Sequence, residues 1–152
     1  MKLNLCCSDA HLAGFVNVDR VPPADVIADL NVVPWQWQDN SVEEIVAHDA
    51  LEHLFNPINS LNECWRILRP GGKLDLIVPT AEGRGAFQDP THLVYPPFTL
   101  NSLFYYEHNN PHRERFGKAY GIHARFHIVS QRADQIQDSV VKLCAILEAV
   151  KP

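Results

Sequence analysis

The chain has 152 residues, 46% of them hydrophobic and 20% charged, with a formal net charge of −5. That length and balance fit one globular domain spanning residues 1–152, and the acidic balance argues against a general nucleic-acid binder. No apolar run approaches the roughly 20 residues that span a bilayer, and Met1-Lys2-Leu3-Asn4-Leu5 turns polar too soon for a signal peptide.

Four short apolar runs open the chain: Leu3–Leu5, Phe15–Val18, Val26–Ala28 and Glu44–Ala47. Each ends in a polar residue or pair: Ser8-Asp9, Asp19, Asp29 and His48-Asp49. An apolar run followed by an acid, repeated, is the pattern of a parallel sheet with one ligand-facing edge. The spacers between the first three runs are too short for full crossover helices, so one sheet face is expected to be thinly covered. An exposed apolar face is a liability for a monomer, which predicts a homodimer or higher oligomer.

The segment Glu44–Pro79 is the most regular part. Asn56 is placed to cap a helix and Pro57 suits its first turn. Ile58, Leu61, Trp65 and Leu68 then fall on one stripe. Pro70-Gly71-Gly72 is expected to stop this helix before a strand over Lys73–Val78, which completes a strand–helix–strand unit. Next come a glycine-containing loop at 81–88, the turn Asp89-Pro90-Thr91-His92 and a short helix from Thr99 to Tyr106. Residues 109–121 are polar and rich in Arg and His and are read as a loop, with a strand at Phe126–Val129. The tail from Val140 to Val150 has helical composition but alternates at Val141, Leu143, Ala145, Leu147 and Ala149, which favours a closing antiparallel strand.

In order and spacing, Val16-Asn17-Val18-Asp19, Ala28-Asp29-Leu30, Asp39-Asn40-Ser41, Leu51-Glu52-His53 and Leu68-Arg69-Pro70-Gly71-Gly72 resemble the small class I S-adenosylmethionine-dependent methyltransferases of the type 11 group. The resemblance runs from Leu3 to Pro152. It implies a Rossmann-like α/β sheet of order 3-2-1-4-5-7-6 with strand 7 antiparallel, here a minimal version with few helices on one face. It implies S-adenosyl-L-methionine as cofactor and methyl transfer to a small-molecule or sugar-like acceptor.

The resemblance also distributes roles. Asp19 stands where the family holds the ribose hydroxyls, a task a carboxylate performs by accepting both hydrogen bonds. Asp29 and Leu30 stand beside the adenine, and His48 and Asp49 face the methionine half of the cofactor. Cys6 and Ser8 occupy the loop after the first strand, where the family has glycines that let backbone approach the cofactor. A Cβ at either place obstructs the ligand or resists the required backbone angles, although Ser8 also offers a hydroxyl.

Glu52 and His53 match the family's Leu-Glu-His element. His53 is a candidate general base, weighed against a packed histidine at the helix entrance. His92, with Tyr95 nearby, is the acceptor-side candidate, set against a proline-fixed turn.

Other readings compete. The four cysteines (Cys6, Cys7, Cys64, Cys144) show no CxxC pair. Free thiols in a reducing cytoplasm are therefore expected. The spacings His108/His112 and His123/His127 suit metal ligands on a helix, but that sequence lacks helical character and no metal site is expected. The cations between Pro111 and Arg132 are read as a solvated loop or an anion contact. The alternative from a different class is a non-catalytic methyltransferase-like domain that serves as a binding or assembly module, favoured by Cys6-Cys7-Ser8.

Overall fold

A computed structural model describes residues 1–137 and 139–152. Seven strands form one sheet in the order β3-β2-β1-β4-β5-β7-β6. They are β1 (Lys2–Leu5), β2 (Val16–Asp19), β3 (Val26–Ile27), β4 (Val42–His48), β5 (Leu68–Pro79), β6 (Phe126–Gln137) and β7 (Val140–Ala149). The first five run parallel, and β7 is antiparallel to both β5 and β6. Fold class and order are those implied by the resemblance.

Alternation along the strands separates two faces. Leu3 pairs with Ile45, Ile45 with Leu74 and Leu74 with Leu147, which makes one row of the core. The adjacent row, Asn17–Asn4–Val46–Asp75–Ile146–Ser130, lies on the opposite face. No helix lies within the chain from β1 to β3 among the described residues, as the short spacers require.

The oligomer expectation, however, assumed an apolar open face, and the open face is substantially polar. Near β1 and β2 the 6–15 connection folds over two buried asparagines. Asn4 donates to Asn17 Oδ1 at 2.9 Å and to the Ala10 carbonyl at 2.8 Å, and Leu12 N–H donates to Asn17 Oδ1. Asn17 donates to Asp25 through both its backbone and its side chain. A satisfied amide network therefore stands where a crossover helix would pack.

The core face is closed by α1 (Pro57–Ile67) and by the 30–37 segment. Asn56 caps α1 by accepting from Ile58 and Asn59 N–H, as its position predicts. The buried stripe is Leu61, Cys64, Ile67 and Leu68, turned from the one expected, with Ile58 and Trp65 only partly buried. Trp65 sits at the rim because its indole N–H donates to Val150 O and its ring faces the Lys151 ammonium. The helix ends at Ile67, before Pro70-Gly71-Gly72. Those residues instead bulge out of β5, whose pairing passes from Val42–Leu68 to Glu44–Lys73, with Gly71 at φ +71°.

Three further expectations are corrected. The 81–88 loop contains a helical turn, α2 (Gly85–Gln88). The expected helix over Thr99–Tyr106 is only a 3-10 turn at Phe104–Tyr106. The segment read as loop at 109–121 contains α3 (Pro111–Phe116), capped by Asn110, and a 3-10 turn at Gly117–Tyr120. Among the described residues no helix is long and apolar enough to cross a membrane.

Candidate active site

The carboxyl ends of β1, β2 and β4 open onto a cavity of about 520 Å3, within the range typical of ligand pockets. Cys6, Ser8, Asp19, Asp29, Leu30, Asp49 and His53 all line it. Of the candidate site residues, His48, Glu52, His92 and Tyr95 lie elsewhere.

Asp19 is held firmly at the end of β2. Its Oδ1 accepts from the N–H groups of Arg20 (2.7 Å) and Val21 (3.3 Å), and its Oδ2 accepts from Ser8 N–H at 2.9 Å. This last bond ties the β1 loop to the β2 end. Within the loop Cys6 has φ 51° and Ser8 φ 44°. The left-handed angles that glycines would adopt freely are thus taken up by residues bearing side chains. Cys6 also fills space, and burial pushes its thiol up to about 12.

Asp29 accepts from the backbone and side-chain amide of Asn31 and faces Arg20 at 3.5 Å. The Asn31 backbone bond holds its carboxyl below the usual carboxylate range. Leu30 beside it is buried, and its carbonyl accepts from the Trp35 indole at 2.9 Å. That bond is part of a latch on α1. Glu63 accepts from Trp35 N–H at 2.6 Å and from Arg66, and Arg66 in turn donates to the Trp35 and Trp37 carbonyls.

Asp49 and His48 diverge. Alternation sends Ala47 into the core and His48 to the open face, where His48 Nε2 lies 3.0 Å from Asp75 Oδ1. His48 therefore does not reach the cavity it was expected to line. Asp49, at φ 49°, turns back over the strand end and pairs with Lys142 at 2.6 Å.

A second cavity, of about 550 Å3, adjoins the first. Asp49 and His53 line both, while Glu52, Asp89, His92 and Lys142 line the second only. His92 thus belongs to a neighbouring chamber, and Tyr95 is 91% exposed and lines neither. The rings of His53 and His92 meet edge to face, their centroids 5.0 Å apart. Glu52 is 3% exposed, and neither of its carboxylate oxygens has a hydrogen-bond partner among the described residues. Burial pushes its carboxyl up to about 8.

Sequence reasoning missed Arg20, Thr91 and Lys142. Arg20 carried a signal, since a cation directly follows the Asp19 strand end. Lys142 carried none, because β7 brings it to the site from the far end of the chain.

Residues 13–76 match the family model of the methyltransferase domain, type 11. The fold is that of the class I methyltransferases. The resemblance read from the sequence is borne out by this match and by the sheet order. The methyltransferase solved with the Haloferax volcanii Trm112 methyltransferase activator superposes with TM-score 0.63 at 16% identity, over 99% of this chain and 82% of that one. Burkholderia thailandensis 1,6-didemethyltoxoflavin-N1-methyltransferase, solved with 1,6-didemethyltoxoflavin and S-adenosylhomocysteine, gives 0.63 at 15% identity, over 99% and 71%. The [4+2]-cyclase SpnF gives 0.65 at 12% identity, over 99% and 74%. No curated protein sequence matches the chain.

Proposed function

We propose that this protein binds S-adenosylmethionine in the first cavity and transfers its methyl group to a small-molecule or sugar-like acceptor in the second. The observation that carries this reading is the pair Asp19 and Asp29 on one cavity wall, with Asp49 and His53 at the junction of two chambers. Asp19 suits a ribose diol, because three backbone N–H groups already fix its orientation. Asp29 and Leu30 suit the edge and face of adenine. The Burkholderia thailandensis enzyme, with its bound S-adenosylhomocysteine, supports the same donor class.

Bound there, S-adenosylmethionine would supply an activated methyl group for in-line attack by an acceptor heteroatom and would leave as the neutral thioether S-adenosylhomocysteine. The acceptor's proton passes to a base. His53, which lines both chambers, is placed for this role, with His92 behind it in the second. The donor sulfur already activates the methyl group, so the protein chiefly holds the two partners in line. Asp49, Gln88, Asp89 and Lys142 give the second chamber donors and acceptors suited to a hydroxyl-rich ligand.

Calorimetric titration with S-adenosylhomocysteine tests the reading. Binding is expected, and Asp19→Asn is expected to weaken it by about 10–100-fold, the worth of hydrogen bonds to a charged acceptor. Unchanged affinity in Asp19→Asn removes the site assignment. Absence of heat at millimolar ligand leaves the second reading, a non-catalytic binding or assembly module. The Cys6 side chain standing in the donor cavity favours that reading.

A further inference from the structure

Glu52, His53 and His92 come together from two segments. Glu52 and His53 lie on the 3-10 turn Leu51–His53 that follows β4, and His92 lies in the loop after α2. The segments are joined at the backbone, where Leu93 and Val94 N–H both donate to the Glu52 carbonyl at 2.7 and 3.2 Å. One potential ligand atom from each of the three side chains lies within 4.8 Å of the other two.

The hydrogen bonds around the two rings set their tautomers. His53 Nδ1 is 3.0 Å from the Thr91 carbonyl, and His92 Nδ1 is 3.2 Å from the Ala86 carbonyl. A carbonyl oxygen only accepts, so each Nδ1 carries the proton when the ring is neutral, and each Nε2 keeps a free lone pair. Metal-binding histidines show this arrangement, with the remote nitrogen anchored so that the near one points its lone pair at the ion. Behind His53 the anchoring extends to a carboxylate. Thr91 Oγ1 lies 3.1 Å from His53 Nδ1 and donates to Asp89 Oδ1 at 2.6 Å.

Glu52 supplies the independent observation. It is 97% buried by its 3% exposure, and both of its carboxylate oxygens lack a partner among the described residues. A buried carboxyl without a hydrogen bond costs stability unless something else satisfies it. A cation beside two imidazole lone pairs would satisfy it.

We propose that Glu52, His53 and His92 form a binding site for a first-row divalent transition-metal ion, held by two imidazole Nε2 atoms and one carboxylate. Two nitrogens and one oxygen suit Zn2+, Co2+, Mn2+ or Fe2+ rather than the all-oxygen shells of Ca2+ or Mg2+. Bonds of about 2.0–2.2 Å place neighbouring donors roughly 3 Å apart, so the three side chains draw closer on binding. Three protein ligands leave positions open for water or substrate. All three residues line the second cavity, so an acceptor oxygen there has access to the ion. That last role rests on the proposed function, and with the ion bound His53 Nε2 serves as ligand and no longer as the base; the affinity for metal does not rest on it.

A second group, Glu107, His108 and His127, fits less well. Glu107 Oε2 already accepts from Ile128 N–H at 2.9 Å, and His108 Nε2 lies 3.0 Å from the Asn109 side-chain amide.

The test is titration of the chelator-treated full chain with Co2+, read by visible absorption, and with Zn2+, read by calorimetry. Binding of a single ion per chain is expected, reversed by excess chelator. The near-isosteric Glu52→Gln and the loop variant His92→Ala should each weaken it at least about tenfold, while His127→Ala should leave it unchanged. No binding overturns the proposal. So does binding that survives both Glu52→Gln and His92→Ala, or that disappears in His127→Ala. Titration with S-adenosylhomocysteine on the same samples separates the two readings. Binding of S-adenosylhomocysteine without metal removes this site alone, and metal binding without S-adenosylhomocysteine removes the proposed function alone.

Discussion

Replacing Ser8 by glycine should stabilise the protein, because the β1 loop holds a left-handed backbone at a residue with a side chain. At φ 44° Ser8 lies in the region where a Cβ costs roughly 1–2 kcal/mol. Glycine relieves that cost but gives the unfolded chain back about 0.4–1 kcal/mol of freedom. The difference leaves a gain of about 0.5–1 kcal/mol. Nothing else should offset it. The Ser8 side chain is exposed and makes no hydrogen bond among the described residues, while the bond to Asp19 Oδ2 comes from its backbone N–H and survives the change. In a chain of this size the gain corresponds to a rise in Tm of about 1–4 °C. Cys6→Gly is the internal control. Cys6 has φ 51°, but its side chain packs against the core, and losing that contact costs about 1–2 kcal/mol. Relief and loss cancel there, so Cys6→Gly should leave stability nearly unchanged. Urea denaturation of the three proteins measures both effects. Destabilisation by Ser8→Gly, or equal shifts for the two variants, refutes the account of the loop. If the Cys6 side chain also obstructs the donor, Cys6→Gly should bind S-adenosylhomocysteine more tightly than the parent.

Arg66→Met should cost about 3 kcal/mol, because it strands Glu63 in a mostly buried position and releases the Trp35 and Trp37 carbonyls. A loss below about 1 kcal/mol in urea denaturation would show that the latch is not what holds the 30–37 segment. Thiol labelling of the native protein at pH 8 should be slow at all four cysteines and complete after denaturation. Cys7, Cys64 and Cys144 are buried, all four are free, and burial pushes the Cys6 thiol up to about 12; one fast-reacting thiol would contradict this. Glu52, pushed up to about 8, holds its proton more tightly folded than unfolded, so its contribution is present at acid pH. That contribution falls by at most about 1.4 kcal/mol per pH unit as pH rises from near 4.3 towards 8, then levels off. Chelator-treated Glu52→Gln should lack this decline when both proteins are melted across that range, and parallel curves would refute the assignment to Glu52.

The parts of the fold legible in the sequence are those set by local patterns. The Asn56 cap and the apolar run into β5 sufficed for the strand–helix–strand unit, and the alternation from Val141 to Ala149 sufficed for β7. What stayed hidden depends on partners distant in the chain. The polar stretch Ser130–Gln137 has no apolar face and becomes strand because β7 offers a ladder to pair with. The Arg-rich 111–116 segment reads as solvated, yet Arg113 is buried and donates to the Ala124 and His123 carbonyls. The site divides in the same way. Acids at strand ends were visible one run at a time. His48 was misplaced because one residue of strand parity decides which face it takes, and the gathering of Glu52 and His53 with His92 is a product of the loop path alone.

The missing crossover helices bear on how the site is held. Where a sheet of this kind has a full set of helices, a helix packed behind each strand end can fix the loop that faces the ligand. Here the connections from β1 to β2 and from β2 to β3 contain none, and side chains take over. Asn17 holds the 6–15 loop through Leu12 N–H and receives Asn4, while Asp19 fixes Ser8, Arg20 and Val21 by their N–H groups. Under the proposed function Asp19 therefore does two things at once, ordering the walls of the cavity it lines and holding the ligand there. Loss of its charge in Asp19→Asn should weaken ligand affinity and also give up part of the loop's anchoring, because one amide oxygen can accept either from Arg20 and Val21 or from Ser8, and the amide nitrogen in the other position only donates. Asp19→Ala removes all three bonds together with the charge, so its effect on loop hydrogen exchange relative to the parent measures how much of the site's order comes from this one side chain. Exchange in Asp19→Ala unchanged from the parent would mean that the loop is held by the Asn4–Asn17–Asp25 network instead.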